Sequence, residues 1–326
     1  MAVFTELTSA DARRLAQAHH LGELRGVVPI PAGSVNSNFF LETAGGRYFA
    51  RIYEEQEADG VAYEWALLDH LRAAGLPVPE RIPGPAPGEL RVAAKPTAVF
   101  ALVHGRESCQ RAVTPARAAA VGCLLARCHL ACRDFGWRRA GRFGLRDVRA
   151  RLEGIGDACP APVRPARTRL LEVLDEVEQA WPLLQVPRGV IHGDLFRDNV
   201  RWDGDAITAL IDWESASDGL LVFDLMVCVL AWCYGAAFDW SLARALVEGY
   251  GAERPLSHEE TRSLRTVGMA AAARFATTRI TDFELREGAI GERTHKDYRR
   301  FMARLEVLAS MAPDELAERL GATSFP

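Results

Sequence analysis

Residues 190–200 read Val-Ile-His-Gly-Asp-Leu-Phe-Arg-Asp-Asn-Val, and residues 207–214 read Ile-Thr-Ala-Leu-Ile-Asp-Trp-Glu. The polar positions are His192-x-Asp194, Asn199 five residues on, and Asp212 thirteen beyond that. The apolar runs around them predict a strand, a polar loop, a hairpin and a second strand ending in an acid. Such a hairpin can bring Asn199 and Asp212 side by side at its open end. One carboxylate and one amide oxygen suit Mg²⁺, a hard cation that keeps several waters and takes few protein ligands. Asp194, just outside that pair, is placed to accept a hydroxyl proton. Aspartates in turns are ordinarily turn formers; here four polar positions and their strand contexts agree, which points to chemistry.

The elements that must position these groups fall into two regions. Residues 5–20 predict a short helix with Thr8 or Ser9 as N-cap. The stretch from Val27 to Glu54 predicts two strands joined by a turn at Ala44-Gly45-Gly46. Gly60 to Ala74 carries apolar residues at helical spacing and stops at Gly75. Pro96 to Gly105 predicts a buried strand and then a turn. Beyond it helical patterns dominate, from Thr114 to Cys132, from Val163 to Ala180, and again from Leu220. Strand-like runs there are confined to Gly189–Ile191, Val200–Trp202 and Ile207–Ile211. The expected class is α+β in two lobes, 1–104 and 105–326: a small antiparallel sheet with one helix, then a larger, mostly helical lobe.

H-x-D-x-x-x-x-N followed by an Asp is the spacing of kinase catalytic loops. The form His-Gly-Asp…Asn…Ile-Asp-Trp resembles the aminoglycoside phosphotransferase/choline kinase-like family of small-molecule kinases. That resemblance implies a two-lobed protein-kinase-like fold, ATP as phosphoryl donor and Mg²⁺ held by Asn199 and Asp212, with Asp194 catalytic. It implies that Gly33, Ser34, Ser37 and Asn38, in a turn between strands, cover the phosphates through backbone N–H groups and side-chain donors. Arg51 stands where the family commonly has Lys; it keeps the positive charge and adds a planar fork of donors. Glu64 matches the acid that orients that basic residue. Adenine is expected along Val99 to Val103, including Leu102, before the hinge at His104. His192 and Asp224 are expected to brace the loop.

Further segments, among them GSVNSNFFLETAGGRYF, VCVLAWCY and ARFATTRITDF, look like the homoserine-phosphorylating bacterial branch of this family. An acceptor bearing a hydroxyl, an ammonium and a carboxylate calls for an Arg fork and an acid. Arg274 and Arg279, five residues apart on a helix, lie about 140° apart; Arg279 is the expected contact, with Glu214 (or Asp218 or Asp239) for the ammonium and Trp232 as a wall. Other amino alcohols, choline, methylthioribose and aminoglycosides remain open as acceptors, as does a non-catalytic nucleotide-binding module. Composition narrows the classes. Lys+Arg number 39 against 43 Asp+Glu, a net charge of −4, which argues against a nucleic-acid-coating protein. No apolar run approaches the ~20 residues that span a bilayer. Seven cysteines without a C-x-x-C pair predict neither a disulfide framework nor a zinc site, and suit a cytoplasmic protein.

Overall fold

The computed structural model describes residues 4–31, 35–156, 159–285 and 296–322. The chain forms two compact units. The first is built mainly from Met1–Arg106 and Arg201–Glu214, the second from Glu107–Val200, Ser215–Gly288 and His295–Pro326.

In the first unit come α1 (Ser9–Ala18), β1 (Leu24–Ile30), β2 (Ser37–Thr43), β3 (Gly46–Ile52), α2 (Ala58–Ala73), β4 (Arg91–Val92) and β5 (Lys95–Ala101). The sheet order is β1-β2-β3-β5-β4, with antiparallel pairing at each step. The two helices of this unit fall where residues 5–20 and Gly60–Ala74 predict them. Thr8 caps α1 by accepting from the Asp11 N–H. The two-residue period of the strands divides the unit. Phe39, Leu41, Ala50, Ile52 and Val99 pack with Leu15 and Ala16 of α1 in one apolar core. The intervening residues Phe40, Phe49, Arg51 and Phe100 line a cavity instead.

The strands Val200–Asp203 and Ala206–Leu210 pair as a hairpin. Most of it groups with the first unit, although it lies far past residue 104 in sequence. Arg106 and Trp202 exchange backbone hydrogen bonds of 2.9 and 2.8 Å, and the Leu210 N–H donates to the Pro77 carbonyl at 2.8 Å. Sequence adjacency hides such pairing, so the boundary drawn at 104 splits a unit that the hairpin completes.

The second unit contains α3 (Pro115–Ala131), α4 (Leu145–Gly154), α5 (Arg164–Ala180), α6 (Leu221–Trp232), α7 (Trp240–Glu253), α8 (His258–Arg279) and α9 (Arg299–Ala309). Arg188–Ile191 pairs antiparallel with Ser217–Leu220. The latter strand was not expected, because Asp218-Gly219 reads as a turn; tertiary pairing overrides that propensity. Helices α3 and α7 cross closely. A Cβ at Gly122 would overlap the Leu246 carbonyl, and one at Gly249 the Ala119 carbonyl. Gly249→Ala is therefore expected to cost about 3 kcal/mol through overpacking, a fall of several degrees in the thermal unfolding midpoint. An unchanged midpoint would show that the crossing yields freely. Among the described residues no helix is long and apolar enough to cross a membrane, and all seven cysteines are free thiols.

Candidate active site

In the first unit, a cavity of about 330 Å³ lies on the sheet face opposite the α1 core. Aromatic and aliphatic walls, including Phe49, Phe100 and Leu102, surround four charged groups: Arg51, Glu64, Arg201 and Asp212. The register of β2 and β3 puts Asn38 opposite Arg51, and the Arg51 Nε–H donates to Asn38 Oδ1 at 3.4 Å. Its Nη1 donates to Glu64 Oε1 at 3.4 Å, and its Nη2 lies 3.2 Å from Asp212 Oδ1. Burial alone would lower the Arg51 pKa, but Asp212 and Glu64 together hold it well above the ordinary arginine value. The guanidinium is thus a fixed positive charge, clamped at three points and aimed into an apolar cleft.

Asp212 follows the second hairpin strand with φ +67°, in the left-handed region where Asn and Asp are the best tolerated non-glycine residues. That conformation turns the carboxylate into the cavity, where it stays about one-third exposed. Glu214, two residues on, is buried. Its carboxylate accepts from Asn36 Nδ2, and its carbonyl accepts from Gln56 at 3.0 Å. Burial and the neighbouring Asp212 push the Glu214 carboxyl up to about 8.

The strand period also sorts the other expected cofactor residues. Leu102 lines the cavity. Val99 faces the α1 core, since its neighbour Phe100 takes the cavity face, so its contribution is to the core. Ser37 shares that core face. Its hydroxyl donates to Glu54 and accepts from the Phe4 and Thr5 N–H groups at 2.8 and 3.0 Å, so it is committed to the amino-terminal segment. Gly33 and Ser34 lie outside the described residues.

In the second unit, the loop after Arg188–Ile191 is held from beneath by one buried carboxylate. Asp224, in the first turn of α6, accepts from the His192 N–H at 2.7 Å and the Gly193 N–H at 2.8 Å. His129 of α3 reaches the same carboxylate with Nε2 at 3.1 Å, and its Nδ1 lies 2.8 Å from the Tyr250 hydroxyl. Arg254 then donates to that hydroxyl at 3.2 Å and to Glu260 at 2.9 Å. Burial on its own would raise the Asp224 carboxyl; His129, His192 and the Gly193 N–H together hold it below the usual carboxylate range. His129 and Tyr250 escaped the sequence reading. The available signal was one histidine on the apolar face of an Ala-rich helix.

Above that brace, Gly193 adopts φ +77°, which fits a residue without a Cβ. The imidazole Nδ1 of buried His192 accepts from the Asp194 N–H at 3.2 Å. Asn199 Nδ2 donates to the Asp194 carbonyl at 2.8 Å, which leaves its Oδ1 as the end able to ligate a cation. Trp232 is fully buried and donates from Nε1 to the Leu195 carbonyl at 2.9 Å; it supports the loop from the core instead of walling a pocket. Arg274 is also buried. It donates to the Gly193 carbonyl at 2.5 Å, with its guanidinium 4.5 Å from the Phe143 ring centroid. Arg279 donates to the Asp297 carbonyl at 3.0 Å and lies 4.4 Å over Phe301. Burial lowers both arginines to about 10, and Asp194 opposes that fall in each. Phe196 of the loop packs on Phe275 and Phe301 at 4.8 and 6.0 Å, so the aromatic set bearing these arginines also carries the loop.

Asp224→Ala leaves His129 and two backbone donors without their acceptor, and an expected cost of about 3–5 kcal/mol follows. The sign with pH is fixed by the depressed folded pKa. The contribution is complete above the unfolded carboxylate value and is lost as pH falls through the lower folded one. Denaturant melts of wild type and variant should therefore converge in acid and diverge toward neutrality. A constant gap at all pH values would contradict this.

Residues 26–262 match the phosphotransferase enzyme family. Over 290 residues the chain is 37% identical to a homoserine kinase of Nitrobacter winogradskyi, covering 87% of each chain. It is 34% identical to a homoserine kinase of Methylocella silvestris, covering 95% of this chain and 97% of that one. Among solved structures, the amicoumacin kinase hAmiN in complex with AMP-PNP, Ca²⁺ and Ami aligns with a TM-score of 0.68 at 15% identity, covering 96% of this chain and 95% of that one. Choline kinase LicA from Streptococcus pneumoniae aligns with a TM-score of 0.64 at 16% identity, covering 93% and 100%. The α+β class and kinase-like fold expected from the sequence agree with these structures.

Proposed function

Since the chain belongs to the phosphotransferase enzyme family, we propose that it is an ATP-dependent kinase that transfers the γ-phosphoryl group to the hydroxyl of L-homoserine, giving O-phospho-L-homoserine for threonine biosynthesis. The observation that carries the acceptor is the match, over 86–95% of this chain at 33–37% identity, to relatives named homoserine kinase. The fixed Arg51–Glu64–Asp212 set in an apolar cavity supports nucleotide binding, with Leu102 and its neighbours against the base.

Each group by its chemistry suits a divalent cation: Asp212 turns a carboxylate to the cavity of its unit, and Asn199 keeps an amide oxygen whose nitrogen is already bonded. In this reading both ligate magnesium, which when bound supplies charge neutralisation at the transferring phosphates. Arg51 holds phosphate oxygens with a fork that Glu64 keeps oriented. Asp194 orients the acceptor hydroxyl and receives its proton as that oxygen bonds to phosphorus and the β–γ bridging oxygen departs with ADP. Because such transition states are loose, positioning and charge supply most of the acceleration. Arg279 is assigned to the acceptor carboxylate. Arg274 is assigned to the loop, given its bond to Gly193.

The test is ADP release with a panel of hydroxyl acceptors. Release that requires homoserine, with choline, methylthioribose and an aminoglycoside inactive, supports the assignment. Equal release with another acceptor transfers the assignment to that compound, and none with any acceptor leaves a nucleotide-binding module.

A further inference from the structure

The second unit contains a concavity of about 470 Å³ to which no ligand has been assigned above, although Gly193 and Arg274 of the loop border it. Its described lining carries five arginines, Arg138, Arg139, Arg142, Arg188 and Arg274, against one carboxylate, Asp218. Asp218 answers two of them, lying 3.2 Å from Arg138 and 3.5 Å from Arg188. Arg274 gives its bond to a neutral acceptor, the Gly193 carbonyl. The chain as a whole is mildly acidic, so this excess of cationic groups is local. In a concave wall of low dielectric, such an excess focuses positive potential and raises the local concentration of anions. Guanidinium forks match phosphate oxygens in pairs. The hydroxyl residues Ser215 and Ser217 also line the wall and offer neutral donors. Gly193 borders the concavity, whereas Asp194 does not.

We propose that this concavity binds a small phosphate-bearing anion at a site separate from those of the nucleotide and the acceptor, and that Arg274 links its occupancy to the catalytic loop. An anion there competes for the guanidinium that holds the Gly193 carbonyl one residue before Asp194. Occupancy thereby acts on the position of the catalytic carboxylate. The site belongs to the arginines and stands whichever hydroxyl compound is phosphorylated.

The experiment is calorimetric titration with inorganic phosphate, in the presence of saturating ADP and magnesium so that the nucleotide site is filled. Wild type is expected to bind. Arg138→Gln combined with Arg188→Gln is expected to weaken binding at least tenfold. Both side chains are more than half exposed, and an unchanged melting temperature without phosphate will verify the fold of the variant. Saturating homoserine should leave phosphate affinity unchanged. A second titrant, O-phospho-L-serine, separates the sources: displacement of phosphate identifies an ester site, and no displacement identifies a site for the free ion. Equal phosphate affinity in wild type and double variant, or competition by homoserine, would overturn the proposal.

Discussion

Asp194→Asn is expected to lower kcat by about 10³-fold, within the range that a positioned general base contributes, while nucleotide affinity and melting temperature stay near wild type. The loop explains the selectivity. Two contacts hold the backbone of residue 194: its N–H donates to His192, and its carbonyl accepts from Asn199. An amide side chain disturbs neither, and the loop remains seated on Asp224 and Trp232. What is lost is an oxygen able to take a proton. Single-turnover ADP formation, measured beside calorimetric ATP binding, separates the two effects. If kcat fell less than tenfold, the proton would leave by another route and Asp194 would be only a loop former. If ATP binding collapsed as well, the substitution would be structural.

The sequence showed the site most clearly where the backbone, more than a partner element, sets the geometry. The spacing of His192, Asp194, Asn199 and Asp212 is an intrinsic property of one loop and one hairpin, so the pattern is visible without knowledge of any tertiary partner. Arg51 and Glu64 were paired by the family resemblance, and the structure brings them within 3.4 Å. The errors came from face assignment. Val99 and Leu102 look equally suitable in a run of apolar residues, yet the strand gives Val99 to the α1 core. A serine beside the turn expected to cover the phosphates looks like a phosphate donor until its hydroxyl is found bonded to Glu54. The brace through His129, Tyr250 and Arg254 joins α3, α7 and the segment before α8, residues that only tertiary packing brings together. The same holds for Arg274, whose partner Gly193 lies 81 positions away. Of two similar arginines on one helix, spacing alone could not say which bonds the loop.

Asp212→Asn carries the second large effect. With Asp212 as the proposed magnesium ligand, its neutralisation forfeits several kcal/mol of transition-state stabilisation. At about 1.4 kcal/mol per tenfold, kcat should fall by about 10³-fold. The backbone makes Asn the informative replacement. Residue 212 sits at φ +67°, which Asn adopts readily and Ala does not. Asp212→Ala should therefore lose both activity and stability, whereas Asp212→Asn should lose activity with the melting temperature nearly preserved. Arg51 retains Glu64 at 3.4 Å, so the guanidinium proposed to hold the phosphates keeps one of its two carboxylates. Raising magnesium should not restore turnover, because the defect is ligand charge and not occupancy alone. Near-normal kcat for Asp212→Asn at saturating magnesium would remove Asp212 from the metal assignment. Equal destabilisation by Asn and Ala would mean that the carboxylate serves chiefly as the partner of Arg51.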